Sequence, residues 1–229
     1  MNPQLLVPAA GMGARLGRGE PKALTDVAGK PMVVRALERF EMLGLADNAV
    51  VVIPSPFAEA FEKVLSAAFP AASFTLVAGG EERQASVWNG LQQLDSGTDL
   101  VVIHDAARPF VAAASVEASL DAAARYGAAT VAIPSVDTIL VADREHFLRE
   151  TPDRSTVWAC QTPQTFQVDV IRKAHEEAQR AGLVFTDDAS LVRHAGGEVK
   201  LVMGTALNFK VTTPADLELA VHVVSRGLA

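Results

Sequence analysis

The sequence is short of cysteine, of basic residues and of long apolar runs. Cys160 is the single cysteine among 229 residues, so no intramolecular disulfide can form. Lys and Arg number 20 against 27 Asp and Glu, and the formal net charge of −7 argues against a nucleic-acid-binding surface, which needs clustered and uncompensated positive charge. No stretch reaches membrane-spanning length, and the amino terminus lacks the charged segment and apolar run of a signal peptide. We therefore expect a cytoplasmic protein that binds neither nucleic acid nor a membrane.

What the chain does contain is an alternation of short apolar runs with longer segments of helical period. No linker rich in Ser, Pro or Gly divides it, so we expect a single domain over residues 1–229. The alternation is typical of βαβ units and predicts a Rossmann-like α/β fold, with a twisted, mainly parallel sheet flanked by helices. The last helix is predicted to begin with Thr213 as N-cap, Pro214 at the first helical position and Asp216 returning to the cap. The predicted strands are residues 5–8, 50–53, 74–77, 100–104, 130–133 and 209–212.

One segment departs from the alternation. Residues 134–157 read PSVDTILVADREHFLRETPDRSTV, with a β-prone run at each end and a polar, charged middle. This pattern predicts a β-hairpin arm that protrudes from the body of the fold. Because an isolated hairpin is only marginally stable, we expect the arm to lie against a second subunit.

The loop after the first predicted strand is rich in glycine and carries two cations. In LLVPAAGMGARLGRGEPKAL (5–24) the strand ends in two alanines, and Gly11, Gly13, Arg15 and Lys22 follow. A glycine-rich exit from a strand allows close approach to the backbone, and phosphate groups commonly bind there.

Two common phosphate-binding motifs do not fit this loop. A dinucleotide-binding fingerprint needs a third glycine where Leu16 stands, Pro21 interrupts the helix that should follow, and Asp26 lies in a predicted turn rather than at a strand end. A Walker A loop needs Gly-Lys-Ser/Thr, which is absent. What remains is a backbone cradle with Arg15 in it and Lys22 behind it, unless both are merely solvated surface charges.

Five blocks of sequence resemble one known family. PAAGMGARLGRGEPKAL (8–24) resembles the signature of the 2-C-methyl-D-erythritol 4-phosphate cytidylyltransferases of the non-mevalonate isoprenoid pathway. The further blocks, in the same order, are AGGEERQASVWNGL (78–91), VVIHDAARPFV (101–111), WACQTPQTF (158–166) with FTDDAS (185–190), and NFKVTTPADL (208–217). The chain departs from the family at Ala23 and Leu24, where a glutamine and an aromatic residue are expected. The resemblance implies a nucleotidyltransferase fold and transfer of CMP from CTP to 2-C-methyl-D-erythritol 4-phosphate, with release of pyrophosphate.

The implied chemistry needs positive charge more than a general base. A phosphomonoester oxygen attacks the α-phosphorus of CTP, and this nucleophile is already ionised at neutral pH. Catalysis then depends on aligning the reactants and on neutralising the charge that builds up on the phosphates. The resemblance assigns this role to Arg15 and Lys22, with Lys210 contributing from the other side.

The resemblance also implies the nucleotide-binding residues. Asp105 follows an apolar strand at its carboxyl end and is expected near Mg²⁺ or another divalent cation, although it could be only a turn carboxylate. The segment that ends at Ser86 is expected to recognise cytosine, unless Ser86 merely lies in the first turn of the next helix. Arg83 is expected to contact phosphate or to pair with Glu81 or Glu82. The implied set is Ala9, Ala10, Gly11, Gly13, Gly80, Glu81, Arg83, Ser86, Asp105 and Ala106.

For the polyol phosphate acceptor, the resemblance points to two arginines and three hydroxyls, groups suited to binding phosphate and sugar oxygens. These residues are Arg108, Thr138, Arg154, Thr162 and Thr186. Thr186 could instead be a helix N-cap, and Arg154 a solvated charge on the arm. In the family the arm crosses to the other subunit, so Thr138 and Arg154 are expected to complete the partner's pocket in a homodimer.

Three other functions stay open at this level. A ribitol 5-phosphate cytidylyltransferase resembles this chain in every nucleotide-binding block, and only the acceptor residues separate the two. A dinucleotide-dependent oxidoreductase is disfavoured by Leu16 and Pro21. A non-catalytic nucleotide-binding module is disfavoured because both Arg15 and Lys22 are present.

Overall fold

The computed structural model describes residues 1–13 and 19–228, so Arg15 and Leu16 lie outside the described residues. The strands in this part of the chain are β1 (Pro3–Pro8), β2 (Asp26–Val27), β3 (Lys30–Pro31), β4 (Val50–Ile53), β5 (Thr75–Ala78), β6 (Leu100–Ile103), β7 (Ala128–Pro134), β8 (Val141–Ala142), β9 (Leu148–Glu150), β10 (Trp158–Gln167) and β11 (Lys200–Met203). The helices are α1 (Met32–Glu41), α2 (Ala58–Ala68), α3 (Arg83–Leu91), α4 (Ala113–Tyr126), α5 (Val168–Ala181), α6 (Asp188–His194) and α7 (Pro214–Ser225). No helix in these residues is long and apolar enough to span a membrane.

Within the described ranges, the main sheet has seven strands in the order β11-β7-β10-β6-β1-β4-β5. Neighbouring strands pair in parallel except for β10, which runs antiparallel to both β6 and β7. The strands β4 and β6 are buried along their whole length. Burial on both faces explains why these strands are continuous runs of Val, Ile and Leu rather than alternating sequences. The predicted mainly parallel sheet is confirmed.

Alternate side chains of the central strands enter two apolar clusters, one on each face of the sheet. Leu5 and Val7 pack with Phe40 of α1 on one face. Leu6, between them in sequence, packs with Phe166 of β10 on the other. This alternation follows from the period of two along a strand, and it fixes the register of β1 between its neighbours.

The predicted strands agree with β1, β4, β5, β6 and β7 to within two residues, but the prediction at 209–212 was wrong. That segment is irregular, and its apolar residues pack instead of joining the sheet. Val211 is buried and its N–H donates to the Ala107 carbonyl over 2.8 Å, while the Phe209 ring lies 5.8 Å from the Phe110 ring. One edge of the sheet is β11, which the sequence analysis did not predict and of whose four residues three are exposed.

The start of α7 was predicted correctly. Thr213 is the N-cap, Pro214 occupies the first turn, and the side chains of Thr213 and Asp216 form a capping box. Hydrogen bonds from the hydroxyl and N–H of Thr212 and from Thr213 outweigh the effect of burial and lower the pKa of Asp216 to about 2. The helix therefore begins directly after the segment that carries Lys210.

Residues 134–157 contain an antiparallel pair, β8 with β9. Large apolar side chains in this segment are exposed to solvent, among them Val136 at 82%, Phe147 at 66% and Leu140 at 60%. Isolated apolar residues are common on protein surfaces, but a group of them on a short hairpin is typical of an interaction surface. Contact of the segment with a second subunit stays a prediction.

Candidate active site

A cleft opens at the carboxyl ends of the parallel strands, where ligands of open α/β sheets bind. The loops that follow β1, β5 and β6 meet there, and two lysines from distant parts of the chain reach the same space. The cleft is lined by Pro8, Ala9, Ala10, Gly11, Lys22, Ala23, Gly80, Glu81, Glu82, Arg83, Ser86, Asp105, Ala106, Ala107 and Lys210. Most of the predicted nucleotide-binding residues therefore share one site.

Lys22 is packed against the glycine loop. Its backbone N–H donates to the Gly11 carbonyl over 3.0 Å. Gly13 has φ +63°, and a Cβ built there would lie 2.9 Å from the Cβ of Lys22. A larger residue at this position would be strained and would also displace the lysine. The loop and Lys22 thus form one unit, and the predicted role of Arg15 lies outside the described residues.

The glycines after β5 let two loops pack together. A Cβ on Gly79 would lie 2.4 Å from the Cβ of Ala10, and one on Gly80 would lie 2.5 Å from the Cβ of Ala85. The N–H of Gly80 donates to the hydroxyl of Ser86, a buried residue of α3, over 3.1 Å. These glycines accordingly allow close protein contacts behind the cleft. Ser86 lies in the first turns of α3, and it also fixes the loop that borders the cleft.

Asp105 is the charged centre of the cleft. Its Oδ2 accepts a hydrogen bond from Lys210 Nζ at 2.7 Å, and its Oδ1 accepts one from Arg83 Nε at 3.2 Å. Burial alone would raise the pKa of the Asp105 carboxyl, but the Arg83 and Lys210 cations outweigh this effect and hold the pKa well below its usual range. Asp105 is therefore a carboxylate at every physiological pH.

Arg83 also pairs with a carboxylate that the sequence analysis missed. Its Nη1 lies 2.8 Å from Oδ2 of Asp188, which is almost fully buried at the start of α6. Burial would lower the pKa of Arg83, but Asp188 and Asp105 together raise it. The alternative that Arg83 pairs with Glu81 or Glu82 was wrong. The acidic pair in FTDDAS was a signal that could have drawn attention to Asp188.

His104, to which the sequence analysis assigned no role, lies directly before Asp105 and is fully buried. The backbone N–H of Asp105 donates to the Thr162 hydroxyl over 3.1 Å, and this hydroxyl lies 3.0 Å from His104 Nδ1. The other ring nitrogen of His104 lies 2.9 Å from the carbonyl of Arg108. Burial lowers the pKa of His104 to about 4, so the ring is neutral at physiological pH.

Two of the predicted acceptor residues adjoin this hydrogen-bond chain. The Arg108 guanidinium donates to the carbonyls of Asn208 at 2.7 Å and of Cys160 at 3.2 Å. Thr162 is buried behind Asp105, with its hydroxyl between Asp105 and His104. Both residues hold protein atoms in place in this structure, and their contact with an acceptor stays a prediction.

The other three predicted acceptor residues are exposed, and none of the five is among the residues that line the cleft. Thr186 is followed by Asp187, whose side chain accepts from the Ser190 N–H and caps α6. The proposed alternative, Thr186 as N-cap, is therefore wrong. Thr138 and Arg154 lie in the 134–157 segment, where Arg154 donates to the Val136 carbonyl over 3.4 Å.

The carboxylate of Asp105 fits a magnesium ion that arrives with a nucleotide. In the described ranges, no three side chains of His, Cys, Asp or Glu form a cluster that would hold a metal unaided. Magnesium on a triphosphate keeps several waters and needs few protein ligands. Asp105 stays ionised, and each of its oxygens accepts one hydrogen bond from a cation, which leaves lone pairs for a metal.

Cations gathered around one carboxylate, at the end of a parallel sheet and beside a glycine loop, suit a nucleoside triphosphate, and they place the protein in the class of nucleotide-binding α/β proteins. The family model described as "IspD: 2-C-methyl-D-erythritol 4-phosphate cytidylyltransferase" matches residues 4–226. The chain belongs to this family, and its reaction is transfer of CMP from CTP to 2-C-methyl-D-erythritol 4-phosphate in the non-mevalonate pathway.

Individual relatives agree with the family model. The chain is 42% identical to the 2-C-methyl-D-erythritol 4-phosphate cytidylyltransferase of Geobacillus kaustophilus, with 100% of each chain covered. The structure resembles that of the enzyme of the same name from Thermus thermophilus, with TM-score 0.81, 36% identity, and 98% and 100% of the two chains covered. A synthase of 4-diphosphocytidyl-2C-methyl-D-erythritol from Anaerococcus prevotii gives TM-score 0.87 at 26% identity, with 98% and 99% covered. The predicted nucleotidyltransferase fold is confirmed.

Proposed function

We propose that the cleft carries out the cytidylyl transfer by electrostatic stabilisation, with Lys22, Lys210 and Arg15 as its catalytic cations. The observation that carries this proposal is the position of Lys22 and Lys210, which line the same cleft as the glycine loop and Asp105. Cations fixed before the reaction stabilise developing charge without reorganising, and this is commonly the largest catalytic contribution.

The reaction forms one bond and breaks one. A phosphate oxygen of 2-C-methyl-D-erythritol 4-phosphate bonds to the α-phosphorus of CTP, and the bond from that phosphorus to the bridging oxygen of the β-phosphate breaks. Pyrophosphate leaves with the electron pair. No side chain needs to accept a proton, because the attacking phosphate is already ionised.

We assign the triphosphate to the loop after β1 and the cytosine to the segment of Gly80, Glu81, Arg83 and Ser86. Lys22 is held against the first loop, and Ser86 fixes the second, so the two regions have a defined separation. Asp105 would hold Mg²⁺, or another divalent cation, which when bound would neutralise charge on the triphosphate. Ala106 and Ala107, which follow Asp105 in the sequence, also line the cleft.

We further propose that the enzyme is a homodimer with active sites shared between subunits. The acceptor would contact Arg108, Thr162 and Thr186 of one subunit and Thr138 and Arg154 of the other. The exposed apolar side chains of residues 134–157 support this proposal, because burial against a partner would remove them from water. A single cysteine and the charge balance are consistent with a cytoplasmic location.

The experiment is an assay of pyrophosphate release with each of the four nucleoside triphosphates, with methylerythritol phosphate or ribitol 5-phosphate as acceptor, and with or without a chelator. We expect activity with CTP and methylerythritol phosphate, and loss of this activity on chelation.

In the same assay, Lys22→Ala should lower kcat by about a hundredfold or more. Lys63→Ala, which removes an exposed lysine of α2, is the matched control and should leave kcat unchanged. Preference for ribitol 5-phosphate would contradict the acceptor assignment, and normal turnover by the Lys22 variant would contradict the mechanism.

A further inference from the structure

The buried ring of His104 lies between two residues to which the proposed function assigns separate tasks. On its Nδ1 side it meets the Thr162 hydroxyl, which accepts the backbone N–H of Asp105. On the other side, its Nε2 lies within hydrogen-bond distance of the Arg108 carbonyl, near the end of the turn HDAARP (104–109). The buried ring therefore contacts both the Thr162 hydroxyl, which holds the Asp105 N–H, and the Arg108 carbonyl.

We propose that His104 is a positioning residue for the reaction. Its Nε2 bonds the Arg108 carbonyl directly, and its Nδ1 acts on Asp105 through the Thr162 hydroxyl, which accepts from the Asp105 N–H. The inference rests on the proposed function, because that function gives Asp105 a task toward the nucleotide and Arg108 a task toward the acceptor. His104 itself is buried and touches neither reactant.

The direction of each hydrogen bond follows from donor and acceptor chemistry. The Arg108 carbonyl can only accept, so Nε2 must carry the proton and donate. In a neutral ring, Nδ1 is then an acceptor, and the Thr162 hydroxyl donates to it. The hydroxyl oxygen in turn accepts from the Asp105 N–H. Each group in the chain has one complementary partner, so the chain defines a single tautomer and ring orientation.

Packing holds the ring in this orientation. The Phe40 ring of α1 lies 4.9 Å from the His104 ring, at an interplanar angle of 60°. Asn208, which is fully buried, donates to the Thr162 carbonyl over 2.8 Å and so fixes the backbone on the far side of the hydroxyl. A ring that is fixed on both sides transmits its geometry to the turn, and small misplacements of reacting groups cost large factors in rate.

Two substitutions separate the two hydrogen bonds. In His104→Asn the amide oxygen takes the place of Nδ1, which keeps the acceptor for Thr162 and loses the donor for the Arg108 carbonyl. In His104→Gln the amide nitrogen takes the place of Nε2, which keeps that donor and loses the acceptor. We expect His104→Asn to raise KM for methylerythritol phosphate by roughly tenfold with kcat and the KM for CTP nearly unchanged, and His104→Gln to lower kcat by roughly tenfold.

Ser119→Ala is the matched control. Ser119 is a buried residue whose hydroxyl bonds to Thr165 of β10, away from the residues that line the cleft. We expect it to lower the midpoint of thermal unfolding without separating kcat from KM. Equal changes of kcat and KM in the Asn and Gln variants, or no change in either, would overturn the inference. Inactivity of the unmodified protein with this acceptor would instead contradict the proposed function.

A spectroscopic measurement keeps the inference testable if a variant does not fold. In the unmodified protein with ¹⁵N-labelled histidine, the His104 ring should give the shifts of the neutral tautomer with the proton on Nε2. A proton on Nδ1 would overturn the inference, because the ring would then be unable to accept from Thr162.

Discussion

Arg83 forms ion pairs with two carboxylates: Asp105, which lines the cleft, and Asp188, which does not. The Arg83 side chain is 23% exposed, that of Asp105 is 9% exposed, and that of Asp188 is 2% exposed. Burial would raise the pKa of Asp188, but Arg83 and the neighbouring His175 together outweigh this effect and lower it. Removing one partner from such a pair leaves a buried charge without compensation, which costs more than the pair itself contributes.

We therefore expect Asp188→Asn to lower the free energy of unfolding by roughly 2–3 kcal/mol. A buried charge left with no partner would cost more, but Arg83 keeps its ion pair with Asp105 in this variant. Urea unfolding at neutral pH measures the change. Asp121→Asn removes an exposed carboxylate on α4 and should change the same quantity by less than about 0.5 kcal/mol. A loss for Asp188→Asn no larger than that of the control would show that the buried pair has little effect on stability.

The residues of the site that could be predicted are those with a local signal. Lys22 follows a glycine loop and Asp105 follows an apolar strand, so spacing and resemblance were enough to find both. Asp188 and His104 acquire their partners only when distant segments fold together: Arg83 with Asp188, and Thr162 with His104. No spacing in the sequence predicts such contacts, because they depend on how α6 and β10 pack.

At the scale of elements, the capping box of α7 determines where the segment carrying Lys210 ends. One oxygen of Asp216, Oδ2, accepts hydrogen bonds from the N–H and hydroxyl of Thr212 and from the N–H of Thr213. These bonds favour the ionised form and are the reason for its low pKa.

Asp216→Ala should lower the free energy of unfolding by about 1 kcal/mol at pH 7. Because the pKa of Asp216 is lower in the folded state, its contribution is fully present above the unfolded value near 4 and is lost as the pH falls toward 2. The difference between the variant and the unmodified protein, measured by urea unfolding, should thus shrink between pH 4 and pH 2. Glu218→Ala, at an exposed position on the same helix, serves as control. A difference that stayed constant over this range would contradict the role of the ionised carboxylate.

Burial on both faces determines which strands could be predicted from the sequence. Strands β1, β4 and β6 are buried on both faces, so continuous apolar runs identify them. The segment 209–212 has an apolar pattern too, but Phe209 and Val211 pack against the turn after β6 and form no ladder. The edge strand β11 is mostly exposed, and its short apolar run was not recognised as a strand. An apolar pattern predicts that residues are buried, but the tertiary fold determines which element covers them.

For the molecule as a whole, the proposed dimer makes the exposed segment 134–157 part of a neighbouring subunit's site, and a single chain would then be an incomplete enzyme. Arg154 lies in this segment and is exposed. If it binds the acceptor of a neighbouring subunit, Arg154→Ala should raise KM for methylerythritol phosphate by about tenfold or more and leave the KM for CTP unchanged, because it would remove charge-assisted hydrogen bonds to a phosphate. Arg144→Ala, at another exposed arginine of the same segment, should change neither constant. An equal rise in both KM values for Arg154→Ala would contradict the assignment.

Mixing two impaired variants tests whether the site is shared, if the assay uses a methylerythritol phosphate concentration well below KM, where each variant alone has little activity. A subunit with Arg154→Ala retains Lys22, and a subunit with Lys22→Ala retains Arg154. In a mixed dimer, one of the two pockets combines the intact Lys22 of the first subunit with the intact Arg154 of the second. Random exchange in an equal mixture makes half of the dimers mixed, so about a quarter of the normal activity should return. The recovery should appear only after exchange, which a size difference between tagged and untagged subunits can verify. Verified exchange without recovery would mean that each pocket takes both residues from one chain, and the exposed apolar side chains of the arm would then need another partner.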